Sequence, residues 1–532
     1  MMNPFGPSGT PLEKFTQTGN LSYLYESTPF DTAIVTAYFI VLTILALYGV
    51  HRYQMVYLYY KYKKNLPKPL GRLEQLPSVT VQLPIYNEMY VAERLIESVC
   101  ALNYPRELLE IQVLDDSTDE TCRVASSCVQ RWAARGFDIH YIHRPNRTGF
   151  KAGALENGLK TARGEYVAIF DADFMPAPET ILETLDYFSD SKVGMVQVRW
   201  GHINRDYSFL TRVQAILLDG HFVIEHTARN RSGRFFNFNG TAGVWRRMAI
   251  ESAGGWEHDT LTEDLDLSYR AQLRGWKFVF LQQIVSPAEI PVEMNSFKSQ
   301  QNRWAKGSMQ TCKKLLPTIL RSDLHPLVKL EAFFHLSANV AYPLMVLLSI
   351  LLFPALIVRY HQGWFQMALI DLPLFLMSSL SVSSFYIASQ KEIYPDWKTR
   401  LKYLPFLMSV GIGLAVSNAK AVLEAVFGIQ TKFHRTPKYS VRNNSADDWK
   451  QKKYHARIGV LPFVEVALGL YFTAMIYYCF DAELYGPIPF LGLFLVGYYY
   501  TGLTSLLQTF KLRTQAQEAL ALSNVKPGAP AA

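Results

Sequence analysis

Carboxylates stand out in this sequence where strands end and helices begin. Asp171 and Asp173 close the apolar run YVAIFDAD at 166–173. Two carboxylates one residue apart at a strand end can share a hard divalent cation and, through it, grip a diphosphate. Solvated strand-end aspartates are the plain alternative. Asp115 and Asp116 close IQVLDD at 111–116. Adjacent acids at a buried strand terminus are costly unless they bind something. A nucleobase N–H, a ribose hydroxyl or a metal would serve. So would capping of the next helix, a role that suits Asp119. Thr262, Glu263 and Asp264 sit in DTLTEDLDLSYRAQLRGW. A carboxylate at a helix start can take a proton from an incoming hydroxyl; Thr262 as N-cap with acids in the first turn explains the pattern equally well.

Three further stretches have useful chemistry. Gln300, Arg303 and Trp304 form QxxRW on neighbouring helical positions. Arg303 can pair with a diphosphate and Trp304 offers a flat face to a sugar ring, although an interfacial Arg/Trp anchor has the same composition. NRTGFKAG at 146–153 is a Gly-containing turn that opens a helix and carries Lys151, suited to a phosphate or base contact. Phe238, Asn239, Gly240 and Thr241 lie in FFNFNGTAG, where aromatic faces and amides suit a flat polar ligand such as a sugar, or a buried loop.

Near-continuous apolar strands must position these groups. VTVQLPI (79–85), IQVLDD (111–116), IHYIHR (139–144), YVAIFDAD (166–173) and VGMVQVRW (193–200) alternate with amphipathic patterns, which predicts βαβ units and a parallel sheet. Ligands bind at the carboxyl ends of such strands, where the acids lie. The spacing predicts an α/β domain over 75–310, with an interfacial helix at 311–326. Apolar runs predict a span at 31–50, two spans within 330–390 and two within 458–510. Asn418, Lys420 and Glu424 make 403–426 an interfacial or re-entrant helix; a sixth crossing, with a basic loop outside, is the alternative. Basic residues at 389–402 and 427–457 place those segments on the cytoplasmic side with the α/β domain. Glu465 falls inside a span, where an ionisable group is either functional or interfacial. Residues 1–30 read as a flexible N-terminus and 511–532 as a tail. Of the 532 residues 49% are hydrophobic and 18% charged, which excludes a disordered chain. A net charge of +8 points to a membrane face or an anionic substrate rather than nucleic acid. Five scattered cysteines exclude a disulfide-framed domain or a structural zinc module.

PIYNE (84–88), DDS (115–117), DAD (171–173), TED (262–264) and QxxRW (300–304) occur in this order on one α/β domain bracketed by spans. The chain thereby resembles the membrane-bound family 2 glycosyltransferases, the cellulose synthase-like enzymes. QVLDDSTD, NRTGFKAGAL, EYVAIFDADF, FNGTAGVWR, AGGW and GWKF look most like the A and C groups of the plant cellulose synthase-like proteins. The resemblance implies a GT-A-type, Rossmann-like catalytic domain plus an α-helical transmembrane bundle in a plasma (inner) membrane, with the catalytic domain cytoplasmic. It implies an inverting, processive transfer of hexose from GDP-mannose or UDP-glucose to a β-1,4-linked polysaccharide, coupled to its translocation. Tyr86 and Glu88, with Asp115 or Asp116, would contact the nucleoside, and Lys151 the base or diphosphate. Asp171 and Asp173 would hold the nucleotide and Mg2+ or Mn2+. Asp264, flanked by Glu263 and Thr262, would be the general base. Gln300, Arg303 and Trp304 would frame the leaving diphosphate and the acceptor sugar. Phe433, Arg435, Thr436 and Lys438 resemble a gating loop, with Arg435 in place of the usual Val. A single-addition glycolipid synthase and a catalytically silent export partner are the rival expectations; a periplasmic partner remains open.

Overall fold

The computed structural model describes residues 28–361, 368–430, 435–442, 449, 452–454 and 459–524. Phe433 and residues 1–27 lie outside the described residues. Seven strands form one sheet: β1 (Val79–Ile85), β2 (Leu109–Asp115), β3 (Ile139–His143), β4 (Tyr166–Ile169), β5 (Val193–His202), β6 (Gly243–Arg246) and β7 (Lys277–Ala288). Their spatial order is β3-β2-β1-β4-β6-β5-β7. Strands β1 to β4 run parallel, as do β5 and β7, whereas β6 is antiparallel to both β4 and β5. The expected all-parallel sheet is therefore a mixed one. GVWR is short, and Gly243 packs so tightly that a Cβ there would lie 2.8 Å from the Phe238 ring.

Every residue of β1 and β2 is buried, which explains their lack of alternation. Val79, Val81, Leu83 and Ile85 pack under α2 (Ala92–Cys100) and α3 (Thr121–Ala133). On the opposite face, α4 (Phe150–Leu159) packs with Val167, Ile169 and Trp245. Strand β4 stops at Ile169, so Asp171 and Asp173 lie in the turn beyond it rather than at its last residues.

The next helices are α5 (Phe209–Asp219), α6 (Glu263–Leu273), α7 (Met294–Arg321), α8 (Pro326–Ser337), α9 (Ala341–His361), α10 (Ala368–Ile393), α11 (Leu404–Gly413), α12 (Ala415–Val426), α13 (Leu461–Asp481) and α14 (Ile488–Asn524), with α1 (Pro29–Tyr62) preceding the sheet. A π-helical segment, Gly220–His226, follows α5. Among the described residues five stretches are long and apolar enough to cross a membrane, or six if the bent pair Trp397–Gly413 and Ala415–Val426 is one span: Pro29–Tyr62, Pro326–Tyr360, Asp371–Ile393, Leu461–Asp481 and Ile488–Phe510 are the five. The helix expected over 31–50 thus continues to Tyr62. No separate helix occupies 311–326: α7 runs unbroken through Pro317 to Arg321, and the following apolar stretch starts at Pro326. The 403–426 region is a helix pair bent by 41° at Leu414. There α11 and α14 approach backbone to backbone, since a Cβ on Gly497 would lie 2.2 Å from the Ser409 carbonyl oxygen. Small residues allow such close contacts in membranes.

Helix α7 joins the two halves. Its buried Lys298 donates to Glu465 Oε2 of α13 (2.5 Å), the Thr501 carbonyl (3.0 Å) and Ser505 Oγ (2.8 Å). Lys313 near its end donates to the Ala425 and Val426 carbonyls (3.1 and 2.7 Å), capping α12. Glu465 is thus half of a buried ion pair. Breaking such a pair from one side strands a charge. Glu465→Leu should cost about 3–5 kcal/mol, whereas Lys298→Met combined with Glu465→Leu should cost less than the single change. Denaturation of the detergent-solubilised variants checks this order.

Candidate active site

The carboxyl ends of β1, β2 and β4 open into a cleft of about 200 Å3 continuous with solvent. The end of β1 supplies Tyr86 and Glu88, β2 supplies Asp116, and the turn after β4 supplies Asp171 and Asp173. Lys151 comes from α4, Glu263 and Asp264 from the start of α6, and Gln300, Arg303 and Trp304 from α7. Asn239, Gly240, Thr262, Arg435, Thr436 and Lys438 complete the wall among the residues named here. The QxxRW side chains thus face the acids across one space.

The aspartate turn is held at both ends. Thr241 Oγ1 accepts from the Asp171 amide (2.8 Å). Lys151 Nζ donates to Asp171 Oδ1 (2.5 Å) and the Gly240 carbonyl (2.9 Å). Burial works against the charge on Lys151, but Asp171, Glu263 and Asp264 outweigh it and hold its pKa above the ordinary value. Lys438 Nζ donates to Asp173 Oδ2 (2.6 Å) and to the Glu289 carbonyl (2.5 Å). One oxygen of each aspartate is therefore taken by a lysine, and the other has no protein hydrogen bond among the described residues. Two such oxygens fit a hard divalent cation.

On the other side of the cleft, Asp116 accepts a guanidinium fork from Arg144, at 2.7 Å from Nε and again from Nη2. Arg144 also donates to the carbonyls of Thr148 (3.1 Å) and Phe150 (3.0 Å), folding the NRTGF turn onto the strand end. The Arg147 guanidinium lies 3.3 Å above the centre of the Tyr86 ring. Glu88 sits 3.7 Å from Arg435. Burial pushes its carboxyl up to about 7, against the pull of Arg435.

Asp264 accepts from the Leu265 amide at Oδ1 (2.8 Å). Burial in the cleft and the neighbouring Glu263 push its carboxyl well above the usual aspartate range, with Lys151 opposing. Thr262 occupies the N-cap position of α6 but makes no capping bond with its side chain; its hydroxyl lies 3.3 Å from that of Thr311 on α7. Helix α7 can approach there because residue 307 is glycine: a Cβ would come within 2.5 Å of Thr262 Cγ2.

Three expected site residues do not line the cleft. Asp115 accepts from the Ser117 amide (2.9 Å) and the Tyr141 hydroxyl (2.6 Å). Phe238 is fully buried, edge-on to Trp245 at 5.6 Å. Thr241 is buried and acts through the Asp171 amide. The sequence did not single out Arg144, Arg147 or Glu289. Arg147 stood inside a quoted motif, whereas Glu289 follows β7, which carried no recognised strand signal.

Asn239 is the cleft end of a buried polar chain. Its Nδ2 donates to His221 Nε2 (2.9 Å), and its Oδ1 accepts from His226 Nε2 (2.5 Å). His221 Nδ1 donates to Glu225 (2.8 Å), which is 3.4 Å from Arg229. Arg229 donates to Glu331 of α8 (2.9 Å), and Glu331 also meets His51 of α1 (3.0 Å). Burial pushes the His226 pKa well below its ordinary value, so this ring is neutral.

Residues 80–252 match the glycosyl transferase family 2 model. This α/β domain is a family 2 glycosyltransferase domain. The chain is 44% identical over 252 residues to glucomannan 4-beta-mannosyltransferase 2 of Arabidopsis thaliana, covering 46% of this chain and 47% of that protein. Over 362 residues it is 36% identical to glucomannan 4-beta-mannosyltransferase 7 of the same plant, covering 63% and 65%. The chain spans about half the length of the first of these curated relatives. Among solved structures, mannosyltransferase PcManGT from Pyrobaculum calidifontis, in complex with GDP-Man and Mn2+, aligns at 20% identity and a TM-score of 0.47, over 73% of this chain and 100% of that one.

Gly240 has φ +80°, and a Cβ on it would lie 2.9 Å from Asp264 Oδ2. In this family 2 domain, Gly240→Ala should destabilise the fold by about 1–3 kcal/mol through left-handed strain. It should cost far more in transfer rate by displacing Asp264. Thermal unfolding and initial rates on one preparation separate the two effects.

Proposed function

We propose that this chain is a membrane-bound, inverting 4-β-mannosyltransferase that takes mannose from GDP-mannose and extends a mannan or glucomannan chain processively. The observation that carries the choice of sugar is the 44% identity to a plant glucomannan 4-beta-mannosyltransferase. The cleft supports the chemistry, because Asp264 and Arg303 line the same space from different helices.

The nucleoside lies against Tyr86 and Arg147, near Glu88 and Asp116. The diphosphate lies toward Lys151, Arg303 and Lys438. Mg2+ or Mn2+ held by Asp171 and Asp173 would neutralise charge on the diphosphate. Asp264 takes the proton from the acceptor 4-hydroxyl as that oxygen forms its bond to C1 of the donor sugar. The bond from C1 to the phosphate oxygen breaks on the opposite face, its electron pair leaves with GDP, and the anomeric configuration inverts. Arg303 pairs with the leaving diphosphate, which is electrostatic stabilisation aimed at the charge that develops. Trp304 and Asn239 seat the terminal acceptor sugar. The segment carrying Arg435, Thr436 and Lys438 gates the donor side. The product leaves through the helix bundle, and the catalytic domain faces the cytoplasm, on the side of the basic segments 389–402 and 427–457.

Protein in nanodiscs with Mn2+ should convert GDP-mannose, in preference to UDP-glucose, into a long product that mannanase degrades. A cellulase-sensitive product would overturn the choice of sugar; a single mannose on lipid would overturn processivity. Asp264→Asn should lower the rate by a factor of about 100 or more while donor binding, measured by GDP-mannose titration, survives. The base must be deprotonated to act. Because the Asp264 pKa is raised, kcat/KM should fall with decreasing pH well above the ordinary aspartate value of about 3.9. A pH–rate profile whose acid limb lies at that ordinary value would remove Asp264 as the base.

A further inference from the structure

A second polar cavity lies outside the cleft, where the catalytic domain meets the membrane helices. It has a volume of about 280 Å3 and lies between α5 with its preceding loop and the segment joining α10 to α11. Arg205, Arg212, Arg400 and Lys402 line it, with Asp206 and Asp396 as the acids. Arg205 and Arg400 stack on the Tyr394 ring, with guanidinium carbons 4.1 and 3.9 Å from its centroid. Arg205 is only 8% exposed; its Nη2 reaches Gln390 (3.1 Å) and Asp219 (3.7 Å), while its buried Nη1 has no hydrogen-bond partner. Arg400 pairs with Asp396 (3.1 Å) and Arg212 with Asp206 (3.4 Å). Lys402 has no carboxylate partner among the described residues.

Four cations thus stand against three acids, counting Asp219 behind Arg205. The excess of one positive charge is what a phosphodiester would neutralise. Two guanidinium groups held on one ring repel each other, and Asp219 and Asp396 each offset only one of them. The cavity sits between the end of the apolar stretch Asp371–Ile393 and the start of α11, where the headgroups of a bilayer spanned by that stretch would lie. Beside it, Phe209 packs on Tyr403 and on the exposed Phe406 (ring centroids 6.0 and 5.2 Å). Basic pockets between helices at this depth bind anionic headgroups.

We propose that this cavity binds the phosphate of an anionic phospholipid in the leaflet facing the catalytic domain, and so ties α5 to the α10–α11 junction. The chemistry recognised is a phosphodiester, and its source is the bilayer rather than dissolved phosphate.

The full chain, purified in a neutral detergent, would be titrated with phosphatidylglycerol, phosphatidylcholine or inorganic phosphate while its thermal midpoint is followed. Native mass spectrometry would count retained lipid. The wild type should retain one phosphatidylglycerol, and its midpoint should rise with that lipid alone. Arg400→Gln with Lys402→Gln should weaken phosphatidylglycerol retention about tenfold or more, at about 1 kcal/mol per basic residue. This variant should keep its sugar transfer in phosphatidylcholine. Lys64→Gln with Lys391→Gln removes the same charge elsewhere and should leave retention unchanged. Equal retention by the Arg400/Lys402 variant, equal loss in the control, or an equal midpoint shift with inorganic phosphate would each overturn the proposal. The wild-type titration reports even if the double variant does not fold.

Discussion

Charge balance inside one cleft is the constraint on which the rest of the structure depends. Seven carboxylates line it: Glu88, Asp116, Asp171, Asp173, Glu263, Asp264 and Glu289. Like charges at this spacing cannot all ionise without compensation. The compensating cations come from widely separated parts of the chain. Lys151 is on α4, Arg303 on α7, and Arg435 and Lys438 on a segment beyond the bent α11–α12 pair. Arg144 and Arg94 stand directly behind Asp116 and Glu289. The sheet, α7 and the 435–442 segment are therefore held together partly by the acids they surround. With its own charges largely balanced, the cleft has little excess charge of either sign to offer a ligand.

Helix α7 carries this constraint into the membrane. Its middle presents Arg303 and Trp304 to the cleft, and Gly307 lets it close on Thr262. Its first turns bury Lys298 against Glu465, and its far end caps α12 through Lys313. Any tilt of this helix would move Arg303 and the bundle contacts together. Glycines at 307 and 497 make the contacts too close for slack.

Much of this was legible in the sequence, because continuous burial leaves a continuous apolar run. β1, β2, β4 and the first part of β5 stood out for that reason, and the acids at the ends of β1 and β2 and in the turn after β4 followed from them; β3 is buried only at Ile139 and falls outside this rule. β6 did not stand out: four residues carry too little periodicity, and its direction is set by β4 and β5 on either side. Phe238 and Thr241 shared a motif with Asn239 and Gly240, yet a loop of positive-φ glycine turns them inward; side-chain type could not reveal that. The cations paired with the acids were the least legible, since Lys438 meets Asp173 across 265 positions of chain. The break expected near 311 was read from composition, but the helix tolerates Pro317 and continues.

The buried chain from Asn239 to His51 has a consequence for how this site can change. Each member is fixed as donor or acceptor by its neighbour: the amide of Asn239 sets the tautomers of His221 and His226, and Glu225, Arg229 and Glu331 continue the sequence. Replacing one member orphans a buried group at the next. Positions 51, 221, 225, 226, 229, 239 and 331 therefore form a single unit of variation. A change to the cleft wall at 239 has to be negotiated with a histidine in α1.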